Sequence, residues 1–176
     1  MMSIVYLFWM YVILFAVIGA MRGWAKELLV IFSSITALAV NLLLEKYIPL
    51  VRDLPDNSGS VFWIRSIILI ALVYFGYQTV AVVPRLASKA ARERLQDALF
   101  GLVVGGLNGY FIAGSILFYN HVAEYPYRNV ISPATDPAII AAIDGMLKYM
   151  PPRLLGEPGI YFAVIIILIF IIVVYI

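Results

Sequence analysis

Side chains able to act as acids, bases, nucleophiles or metal ligands are sparse in this 176-residue chain: ten Asp and Glu, one histidine and no cysteine. A single imidazole, His121, cannot build a histidine metal site within one chain, and the absence of thiols removes disulfides, iron-sulfur clusters and thiolate zinc. The acids Glu27, Glu93, Asp97 and Glu124 fall near the ends of apolar runs. Hydrolysis inside a membrane needs paired aspartates, or a Ser-His or Ser-Lys couple, at matching depth. Neutral polar groups do lie within the apolar runs, namely Ser33, Ser34, Thr36 and Asn41 in the second and Gln78 in the third. They read as structural hydrogen-bonding groups, because a proton or ion path more typically holds a charged residue at mid-span, where insertion costs about 2.5 to 3.5 kcal/mol. No enzyme, no cofactor and no metal site are expected.

The elements that must position these residues follow from composition. The chain is 64% hydrophobic and 12% charged with a mean hydropathy of +1.01, whereas a soluble domain carries roughly a quarter charged residues. A polytopic membrane protein is the class this implies. Apolar runs predict helical spans at about Ser3–Met21, Leu28–Leu44, Trp63–Val83 and Ala98–Ala123, with a fifth at Ile160–Ile176 that just reaches across a thin hydrocarbon core. The first run, longer than a signal-peptide core, reads as a retained helix. The expected fold is an all-α bundle of two antiparallel hairpins plus a C-terminal span and an interfacial amphipathic helix. It divides into a four-span membrane domain over 1–125, an extracytoplasmic loop over 126–158 and a C-terminal helix over 159–176.

The connections carry the charge. Arg65 stands near the start of the third span, where its side chain can snorkel to the interface. Arg85, Lys89 and Arg92 share one helical stripe, which reads either as an interfacial helix against anionic headgroups, at about 1 kcal/mol per cation, or as a solvated linker helix. Asp136 before Pro137 is an N-cap candidate for a helix of about four turns, with Ile139, Ile140, Ile143, Met146, Leu147 and Met150 on one face resting on the outer membrane boundary. Trp9, Trp24 and Trp63, with Tyr6, Tyr47, Tyr119, Tyr125 and Tyr127, read as interface anchors. Arg22, Lys26, Arg85, Lys89, Arg92 and Arg94 crowd the first and third connections, so positive-inside counting places the N-terminus outside. The net charge of +2 gives no basic face for nucleic acid.

Packing is written in small residues. Gly101, Gly105, Gly109 and Ala113 recur every fourth position, which lets two helix backbones approach in a solvent where apolar burial drives no association. Asn108, beside them, can donate a hydrogen bond across the contact. Ala16, Gly19, Ala20 and Gly23 form a second small-residue face. Either face serves packing within the chain or contact with another copy or subunit.

Two motifs resemble the colicin V production (CvpA-like) membrane protein family. Gly19, Arg22, Gly23, Glu27 and Leu28 follow its Gly-x-x-Arg-Gly-x-x-x-Glu-Leu signature. Glu93-Arg94-Leu95, Ala98, Phe100, Gly101 and Gly105 match its charged entry into the fourth span, with Glu93 replacing the usual Asp, Asp97 a Gly, and Val104 an Arg. The resemblance covers about the first 125 residues, and the fifth apolar run lies outside its four-span pattern. Within the motifs, Arg22 and Glu27 share the rim of the bundle and can pair with each other or with Arg94 and Asp97, clasping the hairpins. The resemblance implies a bacterial inner-membrane protein associated with toxin export and envelope homeostasis, with no chemical activity established for the family. A scaffold or accessory factor is the leading reading. The alternatives are a small subunit of a larger respiratory or photosynthetic complex, docked through the 160–176 helix whose end no cation anchors, and a small-solute channel or carrier. The expected partners are the bilayer, other membrane subunits or a second copy.

Overall fold

The computed structural model describes residues 4–82, 94–128 and 131–175, and every element among them is helical. In chain order these are α1 (Ile4–Arg22), α2 (Trp24–Tyr47), a single turn α3 (Pro49–Arg52), α4 (Gly59–Val82), α5 (Arg94–Val122), α6 (Pro137–Leu147), a second single turn α7 (Pro151–Leu154) and α8 (Gly159–Tyr175). Hydrocarbon offers no partner for backbone polar groups, so apolar runs must satisfy them internally as helix. Four helices, α1, α2, α4 and α5, are long and apolar enough to cross a membrane, while α8 is a shorter apolar helix. The cationic stripe Arg85, Lys89 and Arg92 lies outside the described residues.

One residue, Gly23, joins α1 to α2. Its φ of 88° lies in the left-handed region where a Cβ is penalised, and its N–H still bonds the Gly19 carbonyl at 2.9 Å. At the other end of α2, Pro49 biases Ile48 out of helical space, and Ile48 is extended at φ −100°, ψ 108°.

Sequential neighbours are not the main packing partners. The broadest contact of α1 is with α5, whereas α2 packs chiefly against α4, α5 and α8, so the expected tight hairpin of the first two spans is replaced by an α1–α5 pair. The small-residue face of α5 explains this. A Cβ on Gly105 would come within 2.8 Å of the Gly19 Cα, one on Gly19 within 2.7 Å of the Gly105 Cα, and one on Gly109 within 2.8 Å of the Val12 Cα. Gly101 lies against the Gly19 carbonyl, and Ala113 is buried with Phe8 of α1. The ladder is therefore occupied within the chain, backbone on backbone. The rest of α1 presents Tyr6, Met10, Ile13, Leu14 and Val17 outward, as a lipid-facing helix should.

The core surrounds α2. Val30, Ile31, Ile35 and Leu38 pack with Leu69 and Val73 of α4, Ile112 and Tyr119 of α5, and Ile160 of α8. Helices α6 and α7 close one end. Asp136 accepts from the Ala138 N–H at 2.8 Å as N-cap, but the helix is eleven residues long, about three turns, and stops at Leu147. Its Ile143 and Leu147, with Met150 beyond, are buried against Phe8, Ala113 and Leu117. Much of the apolar face thus seats on α1 and α5 and not on lipid, while Ile140 stays exposed.

The start of α8 is tied to the end of α2. Lys46 donates to Glu157 at 2.7 Å, and the Tyr161 hydroxyl donates to the same carboxylate at 2.8 Å. These two hydrogen bonds hold the Glu157 carboxyl below its ordinary range.

Gly105→Ala lowers stability by about 1–3 kcal/mol through a backbone clash, whereas Gly106→Ala, whose new methyl meets only the Ala16 Cβ at 3.6 Å, changes it by less than about 0.5 kcal/mol. Denaturant unfolding in micelles followed by circular dichroism compares them, and equal effects would move the α1–α5 contact to another face. For Glu157, a depressed folded pKa means that the tie contributes above the unfolded carboxyl pKa and is lost as pH falls through the folded value. An NMR titration of its carboxyl carbon should show a midpoint below that of an unperturbed glutamate, and Lys46→Met should raise it part of the way, with the Tyr161 bond remaining.

Candidate functional site: two polar clusters at the ends of α2

At the first end, Gly23 turns the chain so that Arg22, the last residue of α1, faces Glu27 in the opening turns of α2. Glu27 is fully buried, at 0% exposure. Arg22 donates to its Oε1 at 2.6 Å and also to the Tyr77 carbonyl at 3.3 Å, with the guanidinium 4.3 Å from the centre of the Tyr77 ring. Across the bundle, Asn108 Nδ2 donates to Glu27 Oε2 at 2.7 Å and to the Glu27 carbonyl at 3.0 Å. The positive end of the α2 dipole adds to the stabilisation of this anion. Because α2 begins at Trp24 and not at Leu28, the sequence reading of Glu27 as a rim residue gives way to an interior one.

Asp97 does a different job from an ion pair. Its Oδ1 accepts from the Trp24 N–H at 3.2 Å, an N–H in the first turn of α2 that lacks an intrahelical acceptor. The residue before it, Gly23, provides no side-chain cap, so α5 caps α2 from across the contact. A Cβ on Gly23 would come within 2.9 Å of the Asp97 Cγ, so a side chain here would push Asp97 off the cap. The Arg94 side chain lies outside the described residues.

At the other end Arg65 is 8% exposed. It does not snorkel to the interface. Its Nε bonds Glu45 at 2.6 Å and its terminal nitrogen bonds Asp56 at 3.0 Å, with the guanidinium 5.7 Å from the Tyr119 ring centre. Asn41 Nδ2 donates to the Arg65 carbonyl at 3.1 Å and to the Tyr119 hydroxyl at 3.3 Å. Tyr119 is correspondingly buried and corrects its reading as an interface anchor, as does Tyr125, whose hydroxyl meets His121 Nδ1 at 3.1 Å. Trp9, Trp63, Tyr6, Tyr47 and Tyr127 are exposed, as anchors require. A cavity of about 290 Å³ opens beside this cluster, walled by Asn41, Glu45, Asp56, Arg65 and Tyr119 with apolar residues of α2 and α8.

The two clusters are linked by register. Glu27, Ser34 and Asn41 recur every seven residues on α2, and Asn108 and Ser115 do so on α5 with Tyr119 one turn further; all six are buried. Since Asp97 meets Trp24 and Tyr119 meets Asn41, the two helices run parallel, and Ser34 and Ser115 share the same offset as the bonded Glu27 and Asn108. This seven-residue recurrence was available in the sequence and was the signal that marks the polar seam. Arg65 had a signal too, since it shares the stripe of Val61, Leu69 and Val73, all buried. Gln78, by contrast, is exposed.

An all-helical bundle with apolar outer faces, glycine-mediated contact and charges paired at its two ends defines a multi-pass membrane protein. The chain belongs to the Colicin V production protein family, whose model matches residues 4–135, a range that contains α1 to α5 and both clusters. It is thus a membrane protein of a family linked to toxin production. No curated protein matches the chain, and no solved structure does.

Removing one partner of a buried pair leaves the other charge uncompensated, at a cost of about 3–5 kcal/mol, whereas replacing both by apolar groups is often neutral. Arg22→Met should therefore destabilise the bundle by about 3 kcal/mol, and the Arg22→Met, Glu27→Met double variant should regain more than half of that loss. Equilibrium unfolding of the three proteins in one detergent decides it, and a double variant no better than the single would remove the pair from the forces holding this end.

Proposed function

We propose that this chain is a non-catalytic scaffold or accessory protein of the bacterial cytoplasmic (inner) membrane, serving toxin export or envelope homeostasis. The observation that carries the reading is how the charges are used. Arg22 is spent on Glu27 and Tyr77, Asp97 on the start of α2, and Arg65 on Glu45 and Asp56. Each holds one helix to another. What remains outside is helix surface of Ile, Leu, Val, Phe and Tyr, suited to lipid and to the helices of other membrane subunits. Family membership supports the link to toxin production, and the cationic short connections support an N-terminus on the outer side. With α8 as a fifth crossing, the chain then ends inside.

One observation favours a second reading, an accessory subunit of a larger energy-transducing complex. The side of α8 turned away from α2 is bare, with Ile165, Ile166, Ile169 and Phe170 exposed, and it offers a neighbouring helix an unobstructed face.

Mass measurement of the protein released intact from mild detergent separates the two. A lone bundle, a homo-oligomer or a substoichiometric export component is expected. Stoichiometric retention of large redox subunits would establish the second reading instead. In cells producing a peptide toxin, deletion of the gene should reduce secreted toxin severalfold without changing its synthesis, and unchanged secretion would overturn the export role.

A further inference from the structure

Hydrocarbon gives an amide no hydrogen-bond partner, and one amide of this bundle points outward into it. The run from Ser66 to Pro84 contains no charged residue, and Gln78 lies inside it, with Thr79 to Val82 adding a further turn of α4 beyond. Gln78 stands nine residues from Leu69, about two and a half helical turns. It therefore leaves α4 on the side opposite to the one that Leu69 buries against α2. Val61, Val73 and Gly76 share the Leu69 side and are buried, whereas Ile67, Ala71 and Tyr74 share the Gln78 side and are exposed. The adjacent Thr79 hydroxyl satisfies itself locally by donating to the Phe75 carbonyl at 2.7 Å. The Gln78 amide has no such bond among the described residues.

An outward amide in lipid is unfavourable until another helix meets it, and Gln is among the residues that bond across helices in membranes. The chemistry of this stripe selects the helix that does so. Copies of one chain insert in the same direction, so a twofold axis normal to the membrane sets a residue on that axis against itself at equal depth. An amide carries both donor and acceptor and can therefore pair with its own kind. The stripe holds no charge that would repel a second copy. We propose that two copies of this chain associate, parallel, through the outward face of α4, with Gln78 bonded reciprocally to the partner's Gln78. Each Nε2–H donates to the other Oε1, Ala71 lets the two helices approach, and Ile67 and Tyr74 pack alongside. The outward faces of α1 and α8 are aliphatic and aromatic and hold no amide to fix such a contact. This dimer extends the scaffold reading by naming a partner, but it depends on membrane insertion alone, so either can fail without the other.

The chain has no cysteine, so a single introduced thiol can form a disulfide only between copies. In proteoliposomes of the full chain under mild oxidation, Ala71→Cys and Tyr74→Cys should give the linked dimer, because their Cα atoms come within disulfide reach across the axis. Ile13→Cys on α1 and Ile166→Cys on α8 should stay monomeric. Single-molecule photobleaching over a range of protein-to-lipid ratios then measures the dissociation constant. Gln78→Leu should raise it about tenfold, the loss of two interhelical bonds, and Gln78→Asn should keep most of the dimer. Since Gln78 is exposed, the circular dichroism of Gln78→Leu should match that of the parent, and the thiol scan, which leaves Gln78 in place, decides the face without it. A monomer at every density, as when headgroups or a different subunit cover Gln78, overturns the inference. So do crosslinks of equal yield on α1 or α8, or a dimer indifferent to Gln78→Leu.

Discussion

The contact of two backbones, α1 and α5, at Gly19, Gly101 and Gly105 is the constraint on which the rest of this molecule depends. In lipid, burying apolar side chains gains nothing over leaving them against acyl tails, so helices associate through dispersion at close range and through hydrogen bonds. Atoms that would sit within 3 Å of an added methyl mark the closest approach the chain allows. That approach brings the end of α1 and the start of α2 onto α5, and Asp97 then reaches the Trp24 N–H while Asn108 reaches Glu27. A wider spacing would part these groups, leaving α2 uncapped and its carboxylate with only Arg22.

Polar groups then refine what close packing permits. Glu27 meets Asn108 and Asn41 meets Tyr119 along two parallel helices. A slide of one turn would set Glu27 opposite Val104 or Ile112, so the seam specifies register in a medium where apolar contacts discriminate poorly. At the far end Arg65 closes the arrangement by bridging α2 and the loop before α4 through Glu45 and Asp56. The two clusters lie eighteen residues apart on α2, counted from Glu27 to Glu45, or about 27 Å at 1.5 Å per residue. They hold opposite ends of one bundle.

Much of this was legible beforehand. Runs of apolar residues located α1, α2, α4 and α5 to within a few residues, because a hydrocarbon solvent leaves a long uncharged run little choice but helix. The fourfold glycine spacing announced a close helix contact, and the motif at Gly19–Leu28 brought Arg22 and Glu27 together. Side-chain direction is less legible. Arg65 stands close enough to a helix end to reach water, and Tyr119 close enough to an interface to anchor there, yet each points inward, because the phase of its helix sets it on the buried stripe. Charges at Lys26 and Glu27 read as a boundary, which sets the expected start of α2 four residues late and hides the interior position of Glu27.

By itself, the sequence determined the solvent of this protein, the number of long helices and the faces on which they could meet, since hydropathy and spacing are properties of the chain alone. It did not determine which helix meets which. A small-residue face fits any other small-residue face, so α1 could have folded back on α2 as chain order suggests. The folded bundle selects α5, because there the glycine contact, the Asp97 cap and the Asn108 bond to Glu27 are all satisfied in one geometry. The same holds for the cavity beside Asn41, whose wall comes from α2, α4, α5 and α8, segments spread over more than a hundred residues of chain that no local pattern connects.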